Sequence, residues 1–304
     1  MVKYVFSLFI EELSLRAKPS TVSSYSTLAK NHFLPKFEDQ DIRAITETDM
    51  ISHILSEKEK GLSSKTIYDI ITLTNSFWLF AFEKGHIDKL IHLPVPRVSH
   101  QEIDTFSDSD KQKIQDYILN NMSPYGLAIL LCLFTGIRLG EICSLKWGNI
   151  DLKEKYISID STIERIGNLE DSPKTKTMII IDTPKSDKSI RQIPIPDVLL
   201  DLLTRLQCND DCYVATGTAS FMEPRLMQKK YKALLSSVPV RYKKFHVLRH
   251  TFSTDACKNG MNIKILSEIL GHADIRTTLR FYVHTSMEQK QKEINLIYGA
   301  VSVL

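Results

Sequence analysis

Through the first third of the chain, apolar side chains return every three or four residues. The pattern runs through Val5–Leu15, Val22–Phe37, Met50–Leu55 and Ile67–Phe82, and it predicts helices that each bury one face. Start signals sit where such helices need them: Pro19-Ser20 before the second, Thr46 with Asp49 before the third, Ser63-Ser64 before the fourth. The stretch LIHLPVPRVSHQ (90–101) then loses the period and holds two prolines, which predicts an extended linker. Beyond it, Phe106-Ser107 with Asp110 opens another helix, and Pro124–Thr135 is an almost wholly apolar one. Its run GLAILLCLFTGI (126–137) is too short to span a bilayer and reads as buried.

The period changes after TGIRLGEICSLKWGNIDL (135–152), a glycine-flanked turn into a short helix ending at Gly148. YISID (156–160), MIIID (178–182) and IRQIPI (190–195) are short strand-like runs with turn residues between them. Glu164–Thr177 is polar and reads as a hairpin excursion. Helical spacing resumes in Asp197–Gln207, Pro224–Leu235, His246–Asn259, Ile263–Leu270 and Asp274–Val283, and the tail carries Ile294, Ile297, Tyr298 and Val301 at the same spacing. The expected fold is mainly α with a small β-sheet or hairpin, an α+β chain. The expected division is a helical domain over 1–93, a linker over 94–104 and a second domain over 105–304 whose tail helix occupies 286–304.

Composition sharpens this only in part. A chain of 304 residues, 43% hydrophobic and 25% charged, has enough apolar material for two cores. Five irregularly spaced cysteines predict free thiols in a reducing compartment, and the first residues, broken by Glu11 and Glu12, do not make a signal peptide. The expected location is therefore cytoplasmic. Net charge is only +3, but it is unevenly spread: residues 219–304 carry 14 basic and 6 acidic side chains, and between Pro224 and His250 stand eight Lys or Arg and no acid. Such a face attracts a polyanion, although a charge run by itself is more often simply solvated.

Several residues then call for chemistry. Arg138 lies in an otherwise apolar segment, where a guanidinium needs either an anion or a partner such as Glu141, one helical turn on. Lys185, in TPKSDKSIR, falls in a turn between two expected strands; so does Lys188. His246, Arg249 and His250 share one helix face. His246 and His250 with Cys208 and Cys212 have the spacings of two half zinc sites, but the gap between the halves is far longer than in a zinc finger, so no metal is expected. His272 follows a Leu270-Gly271 helix stop, and Tyr282 sits ten residues later in an apolar helix, where a tyrosine is ordinarily core.

Taken in order, TGIRLGEI, TPKSDKSIR, HVLRHTFST, LGHADIRTT and FYVH resemble the signature of the tyrosine recombinase (integrase) family, and the resemblance extends over roughly the whole chain. It implies a helical core-binding domain followed by a catalytic domain. It also implies phosphoryl transfer on double-stranded DNA, without metal, ATP or other cofactor, through a covalent 3′-phosphotyrosine and a Holliday junction. On this resemblance Tyr282 is the nucleophile, and Arg138 and Arg249 hold the non-bridging oxygens. Lys185 protonates the departing 5′-oxygen, His246 assists proton transfer, His272 hydrogen-bonds the phosphate, and Glu141 orients Arg138. Lys188 stays open as the acid, though placement relative to Ile190-Arg191 favours Lys185. The absence of an acidic cluster speaks against a two-metal nuclease.

The implied partners are DNA, further copies of the chain in a tetramer that exchanges the 286–304 tail, and an accessory DNA-bending or directionality protein. The implied setting is the nucleoid rather than a membrane. A mobile-element integrase of phage or transposon type is expected ahead of a Xer-type chromosome-dimer resolvase, because the excursion after Thr162 is longer than the compact Xer hairpin. A type IB topoisomerase uses the same residue types but needs no tail to swap between subunits. The intact residue set speaks against a non-catalytic DNA-binding relative.

Overall fold

A computed structural model of the chain describes all residues outside 97–103, 169–174, 183–189, 280–286, 288–289, 292–293 and 296–304. The fold is mainly helical with small sheets. Packing divides the chain into two units, Met1–Gln101 with Arg165–Ile180, and Glu102–Glu164 with Ile181–Leu304. The division expected from sequence kept all of 105–304 together; in the structure Arg165–Ile180 groups with the N-terminal residues.

The first unit contains α1 (Val2–Arg16), α2 (Pro19–His32), the single turn α3 (Leu34–Phe37), α4 (Glu47–Glu59) and α5 (Ser64–Glu83). Thr46 and Asp49 form a reciprocal capping box at the start of α4, and the Ser63 hydroxyl accepts from Thr66 N at the start of α5. Val22–Phe37, which the apolar period joins into one helix, breaks at Phe33. Pro35 is the reason: it has no N–H to give to the carbonyl four residues back, and its ring crowds that carbonyl. The core is aromatic. Phe6, Phe9 and Phe33 surround Phe77 of α5 with ring centroids 5.4, 5.9 and 5.5 Å from it, and Trp78 is fully buried beside it. Within this unit Ser23 donates to the Gly167 carbonyl (3.1 Å).

The second unit begins with α6 (Asp108–Asn120), α7 (Pro124–Thr135) and α8 (Leu139–Ser144). Short strands follow in chain order: β1 (Ile150–Asp151), β2 (Tyr156–Ile159), β3 (Thr162–Gly167), β4 (Thr177–Asp182) and β5 (Arg191–Pro194); β3 from Arg165 on and β4 up to Ile180 belong to the first unit. The remaining helices are α9 (Asp197–Leu206), α10 (Pro224–Ser236), α11 (Val247–Lys258), α12 (Ile263–Leu270) and α13 (Arg276–Leu279).

One strand, β5, does not pair with its neighbour in sequence. β1, β2 and β5 form one antiparallel sheet, with Ile157 opposite Ile193 and Ile159 opposite Arg191, while β3 and β4 form another. The two strands that flank Lys185 and Lys188 in sequence, β4 and β5, therefore belong to different sheets. Burial explains the choice: Ile157, Ile159 and Ile193 are buried against the unit's core, whereas Met178 and Ile181 of β4 are exposed.

Helix α7 is buried on nearly every face and packs against α11. The chain entering the unit is pinned to α11 and the residues before it. Phe106 N donates to Thr251 Oγ1 (3.0 Å), Lys243 Nζ to the Thr105 carbonyl (2.7 Å), and Lys111 Nζ to Asp255 (2.5 Å). In the tail, Met287 and Ile294 are helical and exposed. Among the described residues no helix is long and apolar enough to cross a membrane.

Candidate active site

The site is assembled at helix ends. A helix leaves its last carbonyls without intrahelical donors and carries partial negative charge there. Helix α12 ends at Leu270, with Gly271 as its C-cap in the left-handed conformation (φ 61°). Three arginines from three other elements meet its final carbonyls. Arg191 Nε donates to Ile269 O (2.6 Å), Arg249 Nη2 to Leu270 O (2.7 Å) and Arg138 Nη2 to Gly271 O (2.9 Å). Arg249 also donates through Nη1 to the carbonyl of Gly136 (2.8 Å), the left-handed C-cap of α7. Neither glycine accepts a side chain easily. A Cβ on Gly136 would stand 2.6 Å from the Phe252 ring, and one on Gly271 would stand 3.1 Å from Arg191.

Glu141 is the anion that makes three crowded guanidiniums tolerable. It is buried, accepting from Arg138 N (2.9 Å) and Arg138 Nη1 (2.7 Å) and from both terminal nitrogens of Arg191 (3.0 and 2.9 Å). Burial alone would raise its pKa, but the hydrogen bonds and charge of Arg191, with those of Arg138, bring it down to about 2. Glu141 thus does meet Arg138, as its position one turn on suggests, yet its stronger clamp is Arg191. Sequence reasoning used Arg191 only as a landmark. Its signal was available: Arg191 stands two residues before Ile193 on a short strand, which puts the arginine on the same face as that apolar residue.

His272 stands where Arg249 ends. Arg249 Nη2 donates to its Nε2 (3.0 Å), and its Nδ1 lies 2.8 Å from Thr278 Oγ1. Burial, and then the charges of Arg249, Arg138 and Arg191, push His272 down to about 3, so its ring is neutral at ordinary pH. His246 occupies the N-cap position of α11 without a side-chain capping bond, its ring edge-on to that of His250 at 4.5 Å. One side of it is open to solvent, while burial of the rest, followed by His250 and Arg249, pushes it down to about 4. Of the residues singled out from sequence, Arg138, Glu141, Arg249 and His272 come together directly, with His246 on the turn that leads into the Arg249 helix. Lys185, Lys188 and Tyr282 lie outside the described residues.

The five cysteines are free thiols. Among the described residues no group of three or more His, Cys, Asp or Glu side chains could hold a metal ion.

What remains is a cluster of guanidinium donors beside the His272 imidazole, backed by carbonyls and one carboxylate. It suits the charge of a phosphodiester in transfer. A helical unit joined to a mixed unit with such a centre fits an enzyme that transfers phosphoryl groups. The comparisons with known proteins give the family. The model described as "Phage integrase family" matches residues 97–289, and the one described as "Phage integrase, N-terminal SAM-like domain" matches residues 1–55. The chain belongs to the phage integrase family, the tyrosine recombinases.

A "Tyrosine recombinase XerC-like" protein of Caldanaerobacter subterraneus subsp. tengcongensis is 28% identical, over 94% of this chain and 80% of that protein. The "ICEBs1 integrase" of Bacillus subtilis is 22% identical, over 95% of this chain and 80% of its own length. Among solved structures, the Tn1549 transposon integrase in complex with transposon right end DNA superposes with a TM-score of 0.77 at 22% identity, over 96% of this chain and 99% of that one. That likeness is one of fold.

Proposed function

We propose that the chain integrates and excises a mobile element by cutting and rejoining DNA at specific sites, with Tyr282 forming a covalent 3′-phosphotyrosine and strands passing through a Holliday junction. The observation that carries this reading is the meeting of Arg138, Arg249 and His272 at the end of α12, with Glu141 bridging Arg138 and Arg191 beside them. Arg138 and Arg249 stabilise the charge that develops on the non-bridging oxygens. His272 hydrogen-bonds the same phosphate, His246 assists the proton leaving Tyr282, and Lys185 protonates the departing 5′-oxygen. Metal is not required, since the positive charge is already built in.

The first 93 residues serve as the core-binding domain and 105–304 as the catalytic domain, joined by the linker at 94–104. Arg225, Lys229, Lys232, Arg241 and Lys244 are exposed on α10 and the loop after it, and they supply a salt-dependent grip on the DNA backbone. Subunits assemble as a tetramer on paired sites, the tail at 286–304 docking into a neighbour. The Tn1549 integrase bound to transposon end DNA, and a lambda integrase tetramer bound to a Holliday junction, support this reading, as does the ICEBs1 relative for a mobile element over a chromosome resolvase.

The test uses nicked suicide duplexes taken from the chain's own genomic flanks. Tyr282→Phe should bind them and form no covalent adduct; an adduct in that variant removes Tyr282 from its role. Lys185→Ala should slow cleavage of ordinary DNA yet spare a 5′-bridging phosphorothiolate, whose sulfur leaves without a proton. Equal loss on both substrates would pass the acid role to another group, Lys188 being the first candidate.

A further inference from the structure

The contacts of His272 impose a condition that a phosphate-binding histidine does not ordinarily meet. Arginine nitrogens carry only hydrogens to donate, so the 3.0 Å approach of Arg249 Nη2 requires a lone pair on His272 Nε2. A neutral ring then bears its proton on Nδ1, which lies 2.8 Å from Thr278 Oγ1. In this arrangement Nε2 is an acceptor and has nothing to offer a phosphate oxygen. Thr278 is fully buried on α13, with its backbone N–H given to Ile275 O (2.9 Å), so its hydroxyl is held in place. A hydroxyl is both donor and acceptor, and rotating its hydrogen reverses the direction of the bond without moving a heavy atom.

We propose that Thr278 is a positioning residue that sets the tautomer of His272 and lets it change, from an acceptor of Arg249 in the free protein to a donor once a phosphodiester takes over the Arg249 N–H. In the free protein Nδ1–H donates to Thr278 Oγ1. With the phosphodiester in place, the Arg249 hydrogen turns to a non-bridging oxygen. His272 gives up the Nδ1 proton to solvent and takes one at Nε2, with no net change in charge. The Thr278 hydroxyl then donates to Nδ1, and Nε2–H faces the phosphate. Two donors thus reach the phosphate only when it is present, and in its absence they satisfy each other. A buried guanidinium and imidazole left unpaired would each carry a desolvation penalty. This rests on the assignment of His272 to the phosphate.

The test combines a spectroscopic and a kinetic readout. In protein labelled with 15N at its nine histidines, the His272 signals, identified by their loss in His272→Asn, should report the Nδ1–H tautomer in the free state. An Nε2–H tautomer there overturns the proposal. Thr278→Ser keeps the hydroxyl and should cleave the nicked suicide duplex at a rate within about threefold of the parent. Thr278→Val keeps the shape without the hydroxyl and should bind the duplex normally but cleave it roughly tenfold or more slowly, the loss expected of one buried hydrogen bond. A Thr278→Val protein that cleaves at the parental rate overturns the proposal. So does a Thr278→Ser protein as slow as the valine variant. If the valine variant does not fold, the serine rate and the 15N tautomer decide. Should His272→Asn itself form adducts at the parental rate, the placement of His272 in the phosphate site falls instead, whatever the tautomer.

Discussion

Among the described residues each unit buries one glutamate, and the two are used differently. In the first unit Glu57 of α4 is buried and accepts from His32 Nδ1 at the end of α2 (2.7 Å) and from Lys60 (2.5 Å). Burial works against its charge, and the hydrogen bonds of Lys60 and His32 outweigh it, leaving the pKa lowered. Lys60 is a flexible and exposed partner, and His32 ties one helix to another. In the second unit Glu141 faces two guanidinium forks and a backbone N–H, and Arg191 is itself buried. A carboxylate held by a lysine and a histidine braces helices. One held by two planar forks fixes the direction of those forks, which is what a site for an anion in transit needs. The same residue type becomes scaffold or site support according to the rigidity of what it holds.

Removing the charge should separate the two roles. Glu141→Gln leaves the Arg138 and Arg191 charges without a counterion, and should cost about 3 kcal/mol of stability in urea melts, the loss typical of breaking a buried ion pair. Cleavage of a bound suicide duplex should fall by roughly a hundredfold, as when a preorganised charge-stabilising donor is lost. If cleavage per bound complex stayed at the parental rate, Glu141 would be scaffold, as Glu57 is.

Arg191→Lys keeps the charge and loses the fork, so it should lower the cleavage rate about tenfold with little change in DNA affinity. Unchanged cleavage with a lower melting temperature would make Arg191 structural only.

Acidification gives a further contrast. In the unfolded chain His246 and His272 take up protons near the ordinary histidine value, but in the folded chain not until about 4 and about 3. The unfolded state therefore binds more protons in this window. Stability is fully present above the ordinary value and is lost as pH falls through it toward the folded values. Melts of His272→Asn should show a shallower fall between about pH 6.5 and 4 than the parent; an identical slope would mean that His272 is not held neutral.

The smallest effect is expected from Glu57→Gln, which should cost about 1 kcal/mol of stability and leave cleavage by the bound protein unaltered.

The chain's own pattern made much of this readable. Pro124–Thr135 and Ile263–Leu270 are helices with the bounds that their apolar period and glycine stops predict, because local signals there agree with burial. The site was readable as residue types in order: Arg138, Arg249 and His272 do meet. Their support was not. That three arginines would end on the carbonyls of one helix depends on tertiary placement, and backbone acceptors leave no trace in side-chain spacing. Arg191 and Thr278 escaped for that reason, one taken as a strand residue and the other as part of an apolar helix. The pairing of β5 with β2 rather than β4 was hidden too, since IRQIPI and MIIID carry equal strand character and only the core distinguishes them.

The central claim is that this arginine centre serves the phosphate attacked by Tyr282. It is tested most directly by trapping the protein on a nicked suicide duplex, digesting the adduct and mapping the DNA-bearing peptide by mass spectrometry. The expected result is a single 3′-phosphate ester on Tyr282, formed without added metal, and its yield sharply reduced in Glu141→Gln. An ester on another residue, or full yield after the loss of Glu141, would contradict it.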